Sequence, residues 1–184
     1  MNKGKLIVIS GPSGCGKGTV INKLLGLDDN LRLSVSMTTR EPRPGEIDGF
    51  HYYFVDNNKF KSGIDDNDFL EYAEYNGNYY GTPKSKIIEM QNNGINVILD
   101  IEVQGAEQVR NAELDNLTTI FLMPPSFEEL RDRLNGRGTE SEEVINNRLN
   151  RAKEEMAFKD KYDYIVVNDD LEKAVDDIYK IIKK

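Results

Sequence analysis

Leu6-Ile7-Val8-Ile9-Ser10 runs directly into Gly11-Pro12-Ser13-Gly14-Cys15-Gly16-Lys17, and Gly18-Thr19 then leads into Val20-Ile21-Asn22-Lys23-Leu24-Leu25. A short apolar run ended by Ser-Gly-Pro reads as a buried strand entering a turn, and Val20 to Leu25 continues as a helix. The glycines between them let successive backbone N–H groups point inward and form an anion nest. The helix N-terminus adds partial positive charge, and Lys17 can reach the β- and γ-phosphates of a nucleotide. With a strand before, a helix after and the lysine in place, the loop has the context that phosphate binding requires.

The same alternation continues outward. Asn96 to Ile101 is apolar without alternation, the mark of a strand covered on both faces, and Thr118 to Leu122 and Tyr164 to Val167 give two more strands. Helical patterns lie between and after them, at Lys84 to Asn92, Ser126 to Leu134, Glu140 to Phe158 and Leu171 to Ile182. Strands alternating with helices imply an α/β fold, with a parallel sheet flanked by helices. Ser126 with Glu129, and Thr139 with Glu142, match the capping box of a helix start. Gly136 and Gly138 lie between these caps, so the stretch from 126 to 151 reads as a helical hairpin on a glycine hinge.

From Ser34 to Thr82 the alternation breaks. This stretch is rich in Tyr, Thr, Gly and Arg, and reads as a small mixed insertion. The expected organisation is one domain over 1–184, with a core of 1–33, 83–125 and 152–184, an inserted subdomain at 34–82 and a lid at 126–151.

Bulk composition narrows the function classes. The chain has 184 residues, 38% hydrophobic and 30% charged, enough for one packed domain but not for two. Its formal net charge of -8 argues against nucleic acid and membrane surfaces as partners, because both attract cationic fields. Any anionic ligand must meet a local cluster of positive charge. The single cysteine, Cys15, allows neither an intrachain disulfide nor a cysteine zinc site, which suits a reducing compartment. Met1 to Lys5 lacks a secretory apolar segment, and no stretch approaches the roughly 18 apolar residues of a membrane span. A cytoplasmic location is expected.

Two features refine the picture. Gly18 stands where many phosphate-loop NTPases carry the Ser or Thr that ligates Mg²⁺, and Thr19 follows it. Cys15 occupies a variable loop position and reads as a small space-filling residue. In the insertion, Ser34-Val35-Ser36-Met37-Thr38-Thr39-Arg40-Glu41-Pro42-Arg43-Pro44-Gly45-Glu46 sets two arginines three apart around a stiffening proline. That pattern suits bidentate capture of a phosphate, to which Tyr52 can add a hydroxyl donor.

Together with the phosphate loop, this arginine-bearing segment resembles the guanylate kinase family. The resemblance extends to Gly-Asn-Tyr-Tyr-Gly (77 to 81), Ile-Leu-Asp-Ile-Glu-Val-Gln-Gly (98 to 105), Arg-Gly-Thr-Glu (137 to 140) and Val-Asn-Asp-Asp (167 to 170), and covers nearly the whole chain. It implies transfer of the γ-phosphoryl group of ATP to GMP, with Mg²⁺ carried on ATP. By this resemblance Gly11 to Thr19, with Arg137 and Asn168, bind ATP, and Asn168 lies near the adenine. Arg40, Arg43, Tyr52 and Tyr80 hold the GMP phosphate. Ser36, Glu71, Thr82 and Glu102 surround the guanine, and Glu46 and Asp100 complete the GMP-binding set. Many relatives carry Asp in place of Glu102 and Ser in place of Thr82, replacements that keep the functional group. ATP and GMP are the implied partners, dGMP is a further candidate acceptor, and either a monomer or a homodimer fits.

The chemistry accounts for these residue types. Guanine offers N–H donors at N1 and N2 and an acceptor at O6, whereas adenine puts an amino donor where guanine has O6. A carboxylate such as Glu71 accepts from the N1/N2 edge, and the hydroxyls of Ser36 or Thr82 donate to O6. Glu74, three residues on, is a rival by spacing. Arg131, Arg133, Arg137, Arg148 and Arg151 crowd the hairpin of an otherwise acidic chain. Arg131 and Arg151 read as surface partners of Glu128, Glu129, Glu142 and Glu143. The resemblance assigns Arg133, Arg137 and Arg148, with Lys17 and Arg40, to charge neutralisation during transfer. The acceptor phosphate is already ionised, so no general base is needed and His51 has no catalytic role. Asp100 resembles the acid that holds Mg²⁺ through water in other phosphate-loop proteins, with Thr19 at most assisting.

Overall fold

A computed structural model describes residues 3–112, 114–135 and 142–184 and sets the opening apolar run at the middle of a sheet. That run is β1 (Leu6–Ser10), followed by α1 (Lys17–Leu27) and the short β2 (Leu31–Leu33). The inserted segment supplies β3 (Met37–Thr38), β4 (Tyr53–Phe54), α2 (Asn57–Asp65), β5 (Phe69–Tyr75) and β6 (Asn78–Pro83). The chain then returns through α3 (Lys84–Asn92), β7 (Asn96–Asp100), α4 (Val103–Asn111), β8 (Leu117–Met123) and α5 (Phe127–Asn135). It finishes with α6 (Glu142–Met156), β9 (Tyr164–Val167) and α7 (Leu171–Lys183).

Five strands pair in the order β2-β7-β1-β8-β9, every pair parallel. The apolar runs are continuous because both faces are covered. Ile7 and Ile9 of β1 pack with Val20, Ile21 and Leu24 of α1 and with Ile178 of α7. Leu6 and Val8, facing the other way, pack with Ile87 of α3 and with Val103, Ala106 and Val109 of α4. In α7 the buried Ala174, Val175, Ile178, Ile181 and Ile182 recur at helical spacing, forming one apolar stripe on an otherwise charged helix. Each of its isoleucines contributes on the order of 1.5–3 kcal/mol by leaving water.

The insertion carries its own sheet, in the order β4-β3-β6-β5. Here β3 runs parallel to β4, and the β3–β6 and β5–β6 pairs are antiparallel. Phe60 of α2 closes one side of this sheet, stacked on Phe69 at 4.4 Å and on Tyr79 at 5.4 Å between ring centroids. Thr38 is fully buried, and its Oγ1 donates to the carbonyl of Tyr79 at 2.9 Å, fastening β3 to β6.

The cap expected at Ser126 is formed. Its Oγ accepts from the Glu129 N–H at 3.0 Å, but Glu129 turns its carboxylate to Arg133 instead of back to the cap. The paired cap at Thr139, the glycines 136 and 138, and Arg137 lie outside the described residues. α5 packs on α6 through Leu130, Leu134, Ile145 and Ala152. It also leans on the phosphate loop, where a Cβ on Gly14 would meet Leu134 at 2.9 Å and Leu130 at 3.1 Å. Among the described residues no helix is long and apolar enough to cross a membrane.

Candidate active site

The phosphate loop sits at the carboxyl end of β1 and opens α1. Gly14 and Gly16 hold φ of +90° and +94°, values that L side chains rarely adopt, so the turn depends on both being glycine. Gly16 is also the N-cap of α1, which therefore starts without a side-chain cap and leaves its first N–H groups for a ligand. Lys17 Nζ donates to the Gly11 carbonyl at 2.7 Å, which keeps the ammonium over the loop. Cys15 is buried, and burial raises its thiol pKa while neighbouring Lys17 opposes the rise. The residue is space-filling, as its variable position suggested.

Asp100 ends β7 in register with Ile9 of β1. Its side chain keeps a solvent-exposed face, yet the protein packed around the carboxyl raises its pKa, with Lys17 pulling the other way. Gly18 has open space about it, and Thr19 is exposed on the first turn of α1. A lone carboxylate and a hydroxyl beside the lysine fit an ion that arrives on phosphate oxygens and keeps several waters.

Beside the loop, a cavity of about 270 Å³ is lined by Ser36, Tyr52, Glu71, Ala73, Tyr75, Tyr80, Gly81, Asp100, Ile101, Glu102, Gln104 and Gly105. Glu71 is 8% exposed, and its Oε1 accepts from Thr82 Oγ1 at 2.6 Å. Burial raises the Glu71 pKa, partly offset by that hydrogen bond. Glu71 shares one face of β5 with Ala73 and Tyr75, which also line the cavity, while Glu74 is exposed on the opposite face and does not line it. Glu71 and Thr82 thus present an acceptor and a hydroxyl side by side.

At the outer end of this cavity Arg40 Nη2 meets Glu46 Oε1 at 2.9 Å, while Glu46 Oε2 accepts the Arg43 N–H at 2.7 Å. These contacts, the Arg40 hydrogen bond foremost, lower the Glu46 pKa to about 2. Arg40 also lies over Tyr52 at 5.5 Å, and Tyr52 meets Tyr80 edge-on at 6.0 Å. Glu46 is therefore the organiser of the two arginines. Its carboxylate holds the Arg40 guanidinium and the Arg43 backbone in one geometry.

A second cavity of about 610 Å³ lies over the phosphate loop, lined by Gly11, Ser13, Lys17, Tyr75, Glu102, Val144, Arg148, Arg151 and Glu155. The two cavities share Tyr75 and Glu102, so they meet along one wall. Arg148 Nη2 donates to Ser13 Oγ at 2.6 Å, and Arg133 Nη2 donates to the Asn168 carbonyl at 3.1 Å. Arg148 therefore reaches the phosphate loop from α6, while Arg133 of α5 is tied to the segment after β9. Arg131 pairs with Glu142 at 3.6 Å, as a surface arginine should. Arg151 does not follow that expectation. It reaches Glu102 at 2.6 Å, and Glu155 on its own helix at 3.1 Å.

Several residues here escaped the sequence reading. Gly105, Gln104 and Gln108 belong to α4, which the apolar spacing of Val103, Ala106 and Val109 could have revealed. Gln108 accepts from the Tyr72 N–H at 3.1 Å and donates to the Tyr72 carbonyl at 3.0 Å, pinning β5 to that helix. Tyr75 and Glu155 carried no sequence signal.

Known proteins resemble this chain along nearly its whole length. Residues 3–184 match the family model described as guanylate kinase. A guanylate kinase of Halalkalibacterium halodurans is 54% identical over 180 residues, covering 98% of this chain and 88% of the relative. One from Prochlorococcus marinus is 49% identical over 182 residues, covering 99% of this chain and 98% of the relative. The crystal structure of guanylate kinase from Anaplasma phagocytophilum matches with a TM-score of 0.76 and 36% identity, covering all of this chain and 86% of that one. By fold, by site and by these relatives, the chain belongs to the guanylate kinase family.

Proposed function

We infer that the chain transfers the γ-phosphoryl group of ATP to GMP, giving ADP and GDP. A phosphate loop alone fits many nucleotide hydrolases. The observation that carries the reading is the cavity of about 270 Å³, where buried Glu71, bonded to Thr82, stands beside the loop and opens towards the Arg40–Glu46–Arg43 cluster.

In this reading the loop N–H groups from Gly11 to Thr19 cradle the ATP phosphates, and Lys17 swings from the Gly11 carbonyl onto the β- and γ-oxygens. Arg40, Arg43, Tyr52 and Tyr80 seize the GMP phosphate, with Glu46 aligning the arginines. Glu71 accepts from guanine N1–H and N2–H, Ser36 offers its hydroxyl towards O6, Thr82 does so on releasing Glu71, and Glu102 closes the far wall. Adenine would leave the buried carboxylate unpaired, a mismatch that can discriminate by roughly 10⁴ or more. Arg148, bonded to Ser13 of the loop, supplies positive charge as the phosphoryl group moves, and Arg133 and Arg137 are assigned the same task by resemblance. Mg²⁺, when bound with ATP, supplies charge neutralisation at the β- and γ-oxygens, and Asp100 and Thr19 are the residues that would hold its waters. The protein's share of the chemistry is positioning and electrostatic stabilisation, since the acceptor oxygen needs no base.

A coupled assay comparing GMP, dGMP, AMP, CMP and UMP at fixed ATP tests this directly. Turnover should be confined to the guanine nucleotides. Equal turnover with AMP would overturn the pocket assignment.

A further inference from the structure

Asn168 follows β9 and is 6% exposed. Three of its polar groups are held by three different elements. Its backbone N–H donates to the Met123 carbonyl at the end of β8, at 2.8 Å. Its backbone carbonyl accepts from Arg133 Nη2 of α5 at 3.1 Å. Its side-chain Nδ2 donates to the Cys15 carbonyl within the phosphate loop, at 2.8 Å. The packing is close as well as bonded, because a Cβ added to Gly16 would lie 2.5 Å from that same Nδ2.

The geometry of the peptide group gives this contact a consequence. The Cys15 carbonyl and the Gly16 N–H belong to one planar trans peptide, so they point in opposite directions. Holding the carbonyl on Asn168 turns the Gly16 N–H away from Asn168, towards the side where an anion nest needs its donors. Without that hold, a glycine at this position has wide conformational freedom. The amide also suits the task chemically, since it donates without bringing negative charge near phosphates.

We propose that Asn168 is a positioning residue for the phosphate loop, serving the donor through the Cys15–Gly16 peptide and not through the nucleoside base. The proposal rests on the reading that this loop binds the phosphates of ATP. Asn168→Ala leaves the Cys15 carbonyl without its donor, and Asn168→Asp sets a carboxylate against it.

The test is calorimetry on the full chain, with Mg²⁺, using ATP, inorganic tripolyphosphate and GMP as separate ligands. Both variants should lose affinity for ATP and for tripolyphosphate by the same factor, about tenfold or more for one buried hydrogen bond, and should bind GMP as the wild type does. Loss for ATP with unchanged tripolyphosphate binding would overturn the proposal and make the side chain a base contact. Unchanged affinity for both would overturn it too, and loss of GMP binding as well would assign Asn168 to general folding instead. If wild-type protein bound GMP but neither ATP nor tripolyphosphate, the phosphate-loop reading itself would fail.

Discussion

Glu102 Oε2 accepts from Arg151 Nη2 at 2.6 Å, which ties the far wall of the acceptor cavity to helix α6. In the proposed reading, a guanine edge and a guanidinium compete for one carboxylate. Both side chains remain substantially exposed, so the pair is worth at most about 1 kcal/mol. Arg151→Ala should therefore lower the KM for GMP by roughly two- to fivefold, leaving that for ATP unchanged. An unaltered KM for GMP would mean that Glu102 serves the base without giving up Arg151.

Glu71→Gln should raise the KM for GMP far more than that for ATP, because the amide sets a donor against guanine's own N–H groups. The same change should raise thermal stability at neutral pH. Burial lifts the folded-state pKa of Glu71 above its unfolded value. Such an acid contributes stability that is fully present below the unfolded pKa and is lost as pH rises through the folded one. Melting curves of wild type and variant should differ at pH 7 and converge near pH 4. A variant less stable at pH 7 would contradict this sign.

Gly105 sits inside α4, where alanine would ordinarily add up to about 1 kcal/mol of helix stability. A Cβ there would lie 2.8 Å from Glu71 Oε2 and 3.3 Å from its carboxyl carbon. Gly105→Ala should displace the carboxylate and raise the KM for GMP by about tenfold, the worth of one charged hydrogen bond. In a Glu71→Ala background the same substitution should become stabilising, which a double-mutant cycle by denaturant titration can read.

Lys17→Met should reduce kcat by at least about 10²-fold while the melting temperature stays close to wild type. The ammonium makes its hydrogen bond to a loop carbonyl, outside the packed cores. Near-normal turnover would detach the loop from the chemistry.

Asp100→Asn should impair turnover more than ATP affinity if the carboxylate orders metal-bound water. Titrating Mg²⁺ at fixed ATP should then show a weakened Mg²⁺ dependence of kcat in the variant. An unchanged Mg²⁺ dependence with lost GMP affinity would make Asp100 an acceptor-side residue instead.

Much of the core was legible because its strands are buried on both faces and carry unbroken apolar runs. β9 and α3 begin and end at the residues their patterns suggested. β2 left no such trace, being a three-residue edge strand with only Leu31 buried. α4 kept an apolar spacing at Val103, Ala106 and Val109, but Gly105 weakens its helix signal, and that glycine makes room for a carboxylate from another element. The strands β3 and β4, two residues each, are too short to show any period. In the site, motif and spacing identified Lys17, Arg40 and Arg43. Spacing could not choose between Glu71 and Glu74, because they fall on opposite faces of β5 and only its pairing with β6, which sets Glu71 against Thr82, shows which face meets the cavity. The Arg151–Glu102 pair joins residues 49 positions apart, and no local pattern encodes it.

Ile9 and Asp100 stand opposite each other on β1 and β7, two residues before the phosphate loop and on the wall of the acceptor cavity. Neighbouring strands are held about 4.8 Å apart by their hydrogen bonds. The sheet therefore acts as a ruler between the phosphate loop and the acceptor cavity. The side chains proposed to hold the acceptor belong to the inserted segment, with Glu71, Tyr80 and Thr82 on its separate sheet. Substitutions there can retune which base is accepted without altering the span that phosphate must cross. A lineage could change acceptor by drift in one small sheet, while the distance set by the other stays inherited.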